Sequence, residues 1–313
     1  MKRFKNILVK VNEMQSPETD VAVLRSIELA NKTGAKIIFF DVVEPHESFL
    51  STYADIFSPT ELSEFIIAQR LNQLKYLAQN LQSDGLEISA QVSKGKVFIE
   101  VVKAVIMNKC DLLIKVANTS EKSFDSSDFH IMRKCPQPVW LIKENQPMGV
   151  KKILAAVDLS MEQHAEGRAQ NRMIMDIATS LSEFKEAQLT IFSCWRLYGE
   201  ETLRHGAFTR ISPEEVDALL KKEEQEHQKS FDSLVKEYEH SNLHQVLTKG
   251  TPKTLIPEYV NSHDFDTVVM GTIGRSGIPG LLIGNTSETV LQSINSSVIT
   301  LKPADFLSPI QGI

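Results

Sequence analysis

The stretches FKNILVKVN (Phe4 to Asn12) and VKKILAAVD (Val150 to Asp158) share one pattern: a lysine, a short apolar run, then Asn or Asp. The same correspondence recurs in order along the chain. GAKIIFFDVV (Gly34 to Val43) answers EAQLTIFSCW (Glu186 to Trp195), and SPTE (Ser58 to Glu61) answers SPEE (Ser212 to Glu215). VSKGKV (Val92 to Val97) matches LTKGTP (Leu247 to Pro252), CDLLIKV (Cys110 to Val116) matches FDTVVMG (Phe265 to Gly271), and PVWLIK (Pro138 to Lys143) matches SVITLK (Ser297 to Lys302). Six pairs in register make the chain an internal repeat. The joint falls at ENQPMG (Glu144 to Gly149), where Pro147 and Gly149 break the pattern.

Each repeat alternates short β-branched runs with amphipathic helices. Runs such as ILVKV and LLIKV do not alternate polar with apolar, so they read as strands buried on both faces. Ile67, Leu71, Leu74, Ala78 and Leu81 are spaced as one helix face. Ser58, Pro59 and Glu61 form a helix-start signal, and Gly85 is expected at the helix end. Val23, Leu24, Ile27 and Ala30 line the preceding helix, which Gly34 closes. Strand and helix in alternation predict a parallel, doubly wound α/β sheet. The expectation is two tandem five-stranded Rossmann-like domains, residues 1–146 and 150–313. Ligands of such sheets lie beyond the C-terminal strand ends.

The stretch GTIGRSGIPGLLIGNTSETV (Gly271 to Val290) follows the fourth strand of the second repeat. Glycines let backbone N–H groups approach an anion, and the stretch runs into a helix start whose dipole favours one. Gly271, Thr272, Gly274, Arg275, Gly284, Asn285 and Thr286 are therefore candidate phosphate contacts, with Arg275 able to neutralise charge. Asn285 with Glu288 is equally a helix cap that needs no ligand, and Pro279-Gly280 is also an ordinary turn. The first repeat tests the alternatives. Asp111 to Lys143 spans 32 residues and Asp266 to Lys302 spans 36, so the first copy is four shorter. Its loop has no glycine and carries Asp125 and Asp128, which would repel a phosphate. The fold does not require the glycines of the second copy. Asp158 ends the first strand where the first repeat has Asn12; it either accepts hydrogen bonds from a base or ribose, or caps a turn with Ser160.

These residues resemble the universal stress protein family, tandem type, over nearly the whole chain. The strings RKCPQPVWLIK and GNTSE carry the likeness most clearly. Gly271, Gly274 and Gly284 match the Gly-x2-Gly-x9-Gly pattern of the ATP-binding branch, with Asn285 where that branch has Ser or Thr. The resemblance implies an adenine nucleotide hydrolase-like fold and ATP or a related adenine nucleotide at the second repeat. Asp158 would contact the adenosine, and Mg2+ would come with ATP. It also implies a non-enzymatic stress-response role and pairing of the two halves through Val139 to Lys143 and Val298 to Lys302. Higher oligomers would be compatible with that pairing. The alternatives are a weak ATP hydrolase, and a carrier or scaffold for an apolar, lipid-like ligand or a protein partner.

Other features favour plainer readings. Net charge is −6, which argues against direct nucleic-acid binding. Cys110, Cys135 and Cys194 show no metal or disulfide spacing and read as cytoplasmic thiols. No run is long enough for a membrane span. His240 and His244 are four apart, but Ser241-Asn242 between them read as a helix end, so no metal is expected there. Ser276 lacks a nucleophile elbow, and Lys221 to Lys229 reads as a solvated helix face. Glu44 to Pro59 and Phe124 to Met132 are rich in apolar residues for loops. They read as helices packing on their own domain, or as the wall of an apolar pocket in the first repeat.

Overall fold

The computed structural model describes residues 4–12, 20–44, 58–120, 123–143, 149–205, 211–238, 243–272 and 284–310. In chain order the first repeat gives β1 (Asn6–Lys10), α1 (Val21–Thr33), β2 (Lys36–Val43), α2 (Pro59–Leu81), β3 (Ile88–Lys94), α3 (Val97–Met107) and β4 (Leu112–Val116). The short strands β5 (Thr119–Ser120) and β6 (Ser123–Phe124), α4 (Ser126–Lys134) and β7 (Val139–Ile142) follow. The second gives β8 (Lys152–Ala156), α5 (Ala165–Lys185), β9 (Gln188–Trp195), α6 (Glu200–His205), α7 (Pro213–Lys236) and β10 (Leu243–Lys249). It ends with α8 (Pro252–Ser262), β11 (Thr267–Gly271), α9 (Asn285–Ser293) and β12 (Ser297–Leu301). A single 3-10 turn, Leu159–Met161, follows β8.

Contacts divide the chain into two compact units. One comprises Met1–Met148, Thr272–Gly284 and Ser297–Ile313; the other comprises Gly149–Gly271 and Asn285–Ser296. In the first unit the strands run β12-β7-β4-β1-β2-β3. All neighbours are parallel except β12 and β7, which are antiparallel with Val298 opposite Leu141, Ile299 opposite Trp140 and Thr300 opposite Val139. The fifth strands of the two repeats thus pair as expected. In the second unit the order is β10-β9-β8-β11, all parallel.

The reason each element forms is visible in its residues. Ile7, Leu8 and Val9 of β1 and Ile153, Leu154 and Ala155 of β8 are fully buried. Each large side chain so buried contributes about 1.5–3 kcal/mol. Ser58 and Glu61 form a reciprocal capping box at α2, and Ser212 and Glu215 repeat it at α7. Gly34 closes α1 at φ 69°, a left-handed conformation that costs glycine nothing. Asp111 accepts the N–H groups of Lys5 and Asn6, and Asp266 accepts those of Lys151 and Lys152, so each repeat ties its first and fourth strands the same way.

Two local expectations shift. Gly85, at φ 84°, lies in a turn beyond α2 instead of at its end, because Gln82 stops the helix in extended conformation. The buried face of α2 holds Leu62, Ser63, Arg70, Leu74, Leu77 and Ala78, so Arg70 and Leu77 are inside while Ile67, Leu71 and Leu81 are partly exposed. Phe124, Phe129, Ile131 and Met132 are buried in the first unit, with α4 packed on β7 and the Phe124 and Phe129 rings edge to face at 6.3 Å.

Candidate functional site

In the second unit β8 and β11 are parallel neighbours, so the segments after Ala156 and at Gly271 leave the same edge of the sheet. Asp158 stands two residues beyond β8 and is exposed. Its carboxylate caps the 3-10 turn by accepting the Ser160 N–H at 3.1 Å and the Ser160 hydroxyl. The backbone of Asp158 is held from both sides by Asn171 of α5. Asn171 Oδ1 accepts the Asp158 N–H at 3.0 Å, and its Nδ2 donates to the Asp158 carbonyl at 2.9 Å and to Glu162 Oε1 at 2.6 Å. Gly167 lets this segment lie flat on α5, since a Cβ there would overlap the Met161 backbone. Cys194 on β9 has its thiol pushed up to about 12, by burial first and then by the Asp158 charge.

Gly271 ends β11. Its carbonyl accepts the Ser287 hydroxyl at 3.1 Å, which ties α9 to the strand. Its α-carbon faces Gln170 of α5: a Cβ built on Gly271 would overlap Gln170 Nε2. That amide nitrogen is buried without a hydrogen-bond partner among the described residues. Asn285 and Thr286 open α9, with Asn285 already the first helical residue and not the residue before the helix. Thr289 donates back to the Asn285 carbonyl at 2.9 Å.

Thr272 and Gly284 belong to the first unit by contact. The Gly284 N–H donates to the Thr272 carbonyl at 2.8 Å, which brings together the two ends of the glycine-rich stretch. The Thr272 side chain is buried and already committed. Its hydroxyl donates to the Leu301 carbonyl at 3.2 Å and accepts from Lys302 Nζ at 2.6 Å. Burial lowers the Lys302 ammonium to about 7. Gly274, Arg275, Ser276, Pro279 and Gly280 lie outside the described residues, as do His240, the joint at 144–148 and residues 45–57. His244 is on β10, where its Nε2 lies 2.7 Å from Gln188 Nε2.

The matching place in the first unit is filled by its own side chains. Asp125 caps α4 by accepting the Asp128 N–H at 2.7 Å. Asp128 accepts the Asn118 N–H at 2.8 Å and Lys115 Nζ at 2.8 Å. Lys115 also donates to the Val116 carbonyl and to Asn118 Oδ1, so its three N–H groups are all used. Burial pushes the Asp128 carboxyl up while the Lys115 charge pulls it down. The two aspartates thus stand on the helix N-terminus where an anion would otherwise bind.

Sequence reasoning missed Asn171, Gln170 and Lys302 as parts of these arrangements. Adjacent polar residues in a helix carry no spacing signal. Lys302 was seen only as the end of a pairing strand.

The model of the universal stress protein family matches residues 3–143 and 149–302. Universal stress protein E of Escherichia coli strain K12 is 22% identical over 316 residues, covering 99% of this chain and 98% of that protein. The universal stress protein E homolog of Haemophilus influenzae is 23% identical over 311 residues, covering 96% and 98%. Among solved structures, a functionally unknown protein of Pseudomonas aeruginosa PAO1 superposes with a TM-score of 0.73 at 22% identity, covering 97% of this chain and 94% of that one. A universal stress protein of Archaeoglobus fulgidus superposes at 0.61 with 17% identity, covering 96% and 99%. Both halves are matched by the family model, so the chain belongs to the universal stress protein family and carries its domain twice in tandem.

Proposed function

We propose that the second repeat binds an adenine nucleotide, ATP or a close relative, and that the protein acts as a non-enzymatic binding module of the stress response in the cytoplasm. Asp158, Gly271, Asn285 and Thr286 are the described residues of that site that lie in the second unit. The observation that carries the reading is the contrast between the repeats at one place in the fold. In the first, Asp125 and Asp128 cover the start of α4. In the second, the strand ends on Gly271, whose missing Cβ admits the buried Nε2 of Gln170, a donor with no partner among the described residues. A buried donor without a partner costs about 1–3 kcal/mol, which a ligand acceptor would recover. The exposed Asp158 carboxylate, held in place by Asn171, suits hydrogen bonds from a base or ribose. Mg2+ would enter with the phosphates.

Equilibrium titration of ATP into the full chain tests the reading. Wild type is expected to saturate below millimolar ATP. Asp158→Ala should weaken binding about tenfold, the value of one charge-assisted hydrogen bond. Gly271→Ala should weaken it comparably by displacing Gln170 into the ligand's space. Absence of saturable binding by wild type at millimolar ATP ends the nucleotide reading, and phosphate release abolished by Asp158→Ala would move the protein to the hydrolases.

A further inference from the structure

The first unit carries a charged cluster in its interior that the nucleotide reading does not use. Lys10 is the last residue of β1, Asp41 lies near the end of β2, and Arg70 comes from the inward face of α2. Their side chains are 12%, 4% and 9% exposed. Lys10 Nζ is 2.6 Å from Asp41 Oδ1, and Arg70 Nε is 2.5 Å from Asp41 Oδ2. The carboxylate is fully engaged, because Oδ1 also accepts the Val42 N–H at 2.8 Å. Lys10 donates in addition to the Val11 carbonyl at 2.8 Å.

Two cations therefore share one anion. Among the described residues Arg70 Nη1 reaches only the neutral Gln73 Oε1, at 3.1 Å, and Arg70 Nη2 is buried with no hydrogen-bond partner. An uncompensated buried charge is among the costliest features a fold can hold, and it persists where something of opposite charge completes it. The fold does not call for the cluster. At the corresponding places of the second repeat the sequence has Ala156, Ser193 and Glu224. There Ser193 donates to the Val157 carbonyl at 3.0 Å and Glu224 is exposed. One repeat builds the cluster and the other does without it, on the same strand and helix framework.

We propose that Lys10, Asp41 and Arg70 form a binding site for an oxyanion, the carboxylate or phosphate group of a small molecule, at the C-terminal strand edge of the first unit. Arg70 Nη2 is the donor that takes the oxyanion, because guanidinium forks match such groups. Lys10 supplies the surplus positive charge. Asp41 holds Arg70 in place and is a positioning residue. The near-complete burial of all three excludes a flat macromolecular surface and selects a small ligand able to reach inside.

Calorimetric titration of the full chain at constant ionic strength, with inorganic phosphate and separately with octanoate, tests the proposal. At least one probe is expected to saturate, and which one does so separates phosphate esters from organic acids. Lys10→Met leaves the Asp41–Arg70 pair intact and removes the surplus charge; it should bind about tenfold more weakly. Arg70→Met should lose the same or more, and where it fails to fold Lys10→Met alone decides. Neither probe saturating with wild type, or Lys10→Met binding as wild type does, overturns the proposal. Because both variants lie in the first repeat, the result is independent of nucleotide binding in the second.

Discussion

Lys302 and Lys115 show how differently a buried ammonium can be treated at the residue scale. Lys115 has a carboxylate, an amide oxygen and a carbonyl within 3.1 Å and stays paired. Lys302 has one hydroxyl, Thr272 Oγ1, and the Phe306 ring at 5.1 Å, so burial takes its pKa from 10.5 down to about 7. Between those two values the unfolded chain holds a proton that the folded chain has released. Stability from this site therefore rises with pH across that window, by about 1.4 kcal/mol per pH unit at most, and is flat below about pH 7. In urea melts from pH 6.5 to 9.5 the stability of wild type relative to Lys302→Met should rise above neutrality. Parallel curves would mean that Lys302 stays charged when folded. None of this was legible in the sequence, where Lys302 ends an apolar strand like any solvated lysine. Asp158 and Gly271 stand out as candidates in the sequence, because a repeat with a differing copy exposes what the fold can do without. Lys10 and Arg70 do not: a lysine in a strand and an arginine in a helix look solvated until the tertiary fold brings Asp41 between them.

Elements were the most readable scale, since their signals are local. The capping box at Ser58 is set by four consecutive residues and formed as expected, and the matching SPEE at Ser212 forms the same box. The apolar face of α2 was only partly right, because helical spacing cannot tell that Asp41 will draw Arg70 inward. The paired glycines Gly95 and Gly250 carry a sharper constraint. They follow β3 and β10, sit at φ 145° and 146°, and donate their N–H groups to Val43 and Trp195. L-residues avoid that backbone region at a cost of about 1–3 kcal/mol. At Gly250 a Cβ would also meet Leu255 Cδ1 at 2.6 Å. Gly250→Ala should therefore lower stability by about 2 kcal/mol or more in denaturant melts. Gly149→Ala, in open space with no positive φ, is the control and should be neutral. Equal effects of the two substitutions would remove the conformational explanation.

At the scale of the whole molecule the repeat pattern announced two α/β domains, but it did not announce where the last strand would be counted. β12 is written in the second repeat and packs with the first unit, antiparallel to β7. Sequence order alone cannot assign a last strand to one unit, because pairing is settled by which exposed edge is available. β7 is buried along its length, with Val139, Trp140, Leu141 and Ile142 all at 1% exposure or less. Ser297 adds a hydrogen bond from the Lys143 N–H to its hydroxyl at 3.1 Å. Deleting residues 297–313 would leave β7 as a bare apolar edge, which invites pairing between chains. The shortened chain should therefore lose amide-exchange protection first at 139–142, within the first repeat, although every deleted residue comes from the second. It should also self-associate in sedimentation at concentrations where the full chain does not. If exchange instead rises first around β8 and β11 while β7 stays protected, then β12 supports the second unit and its pairing with β7 contributes little.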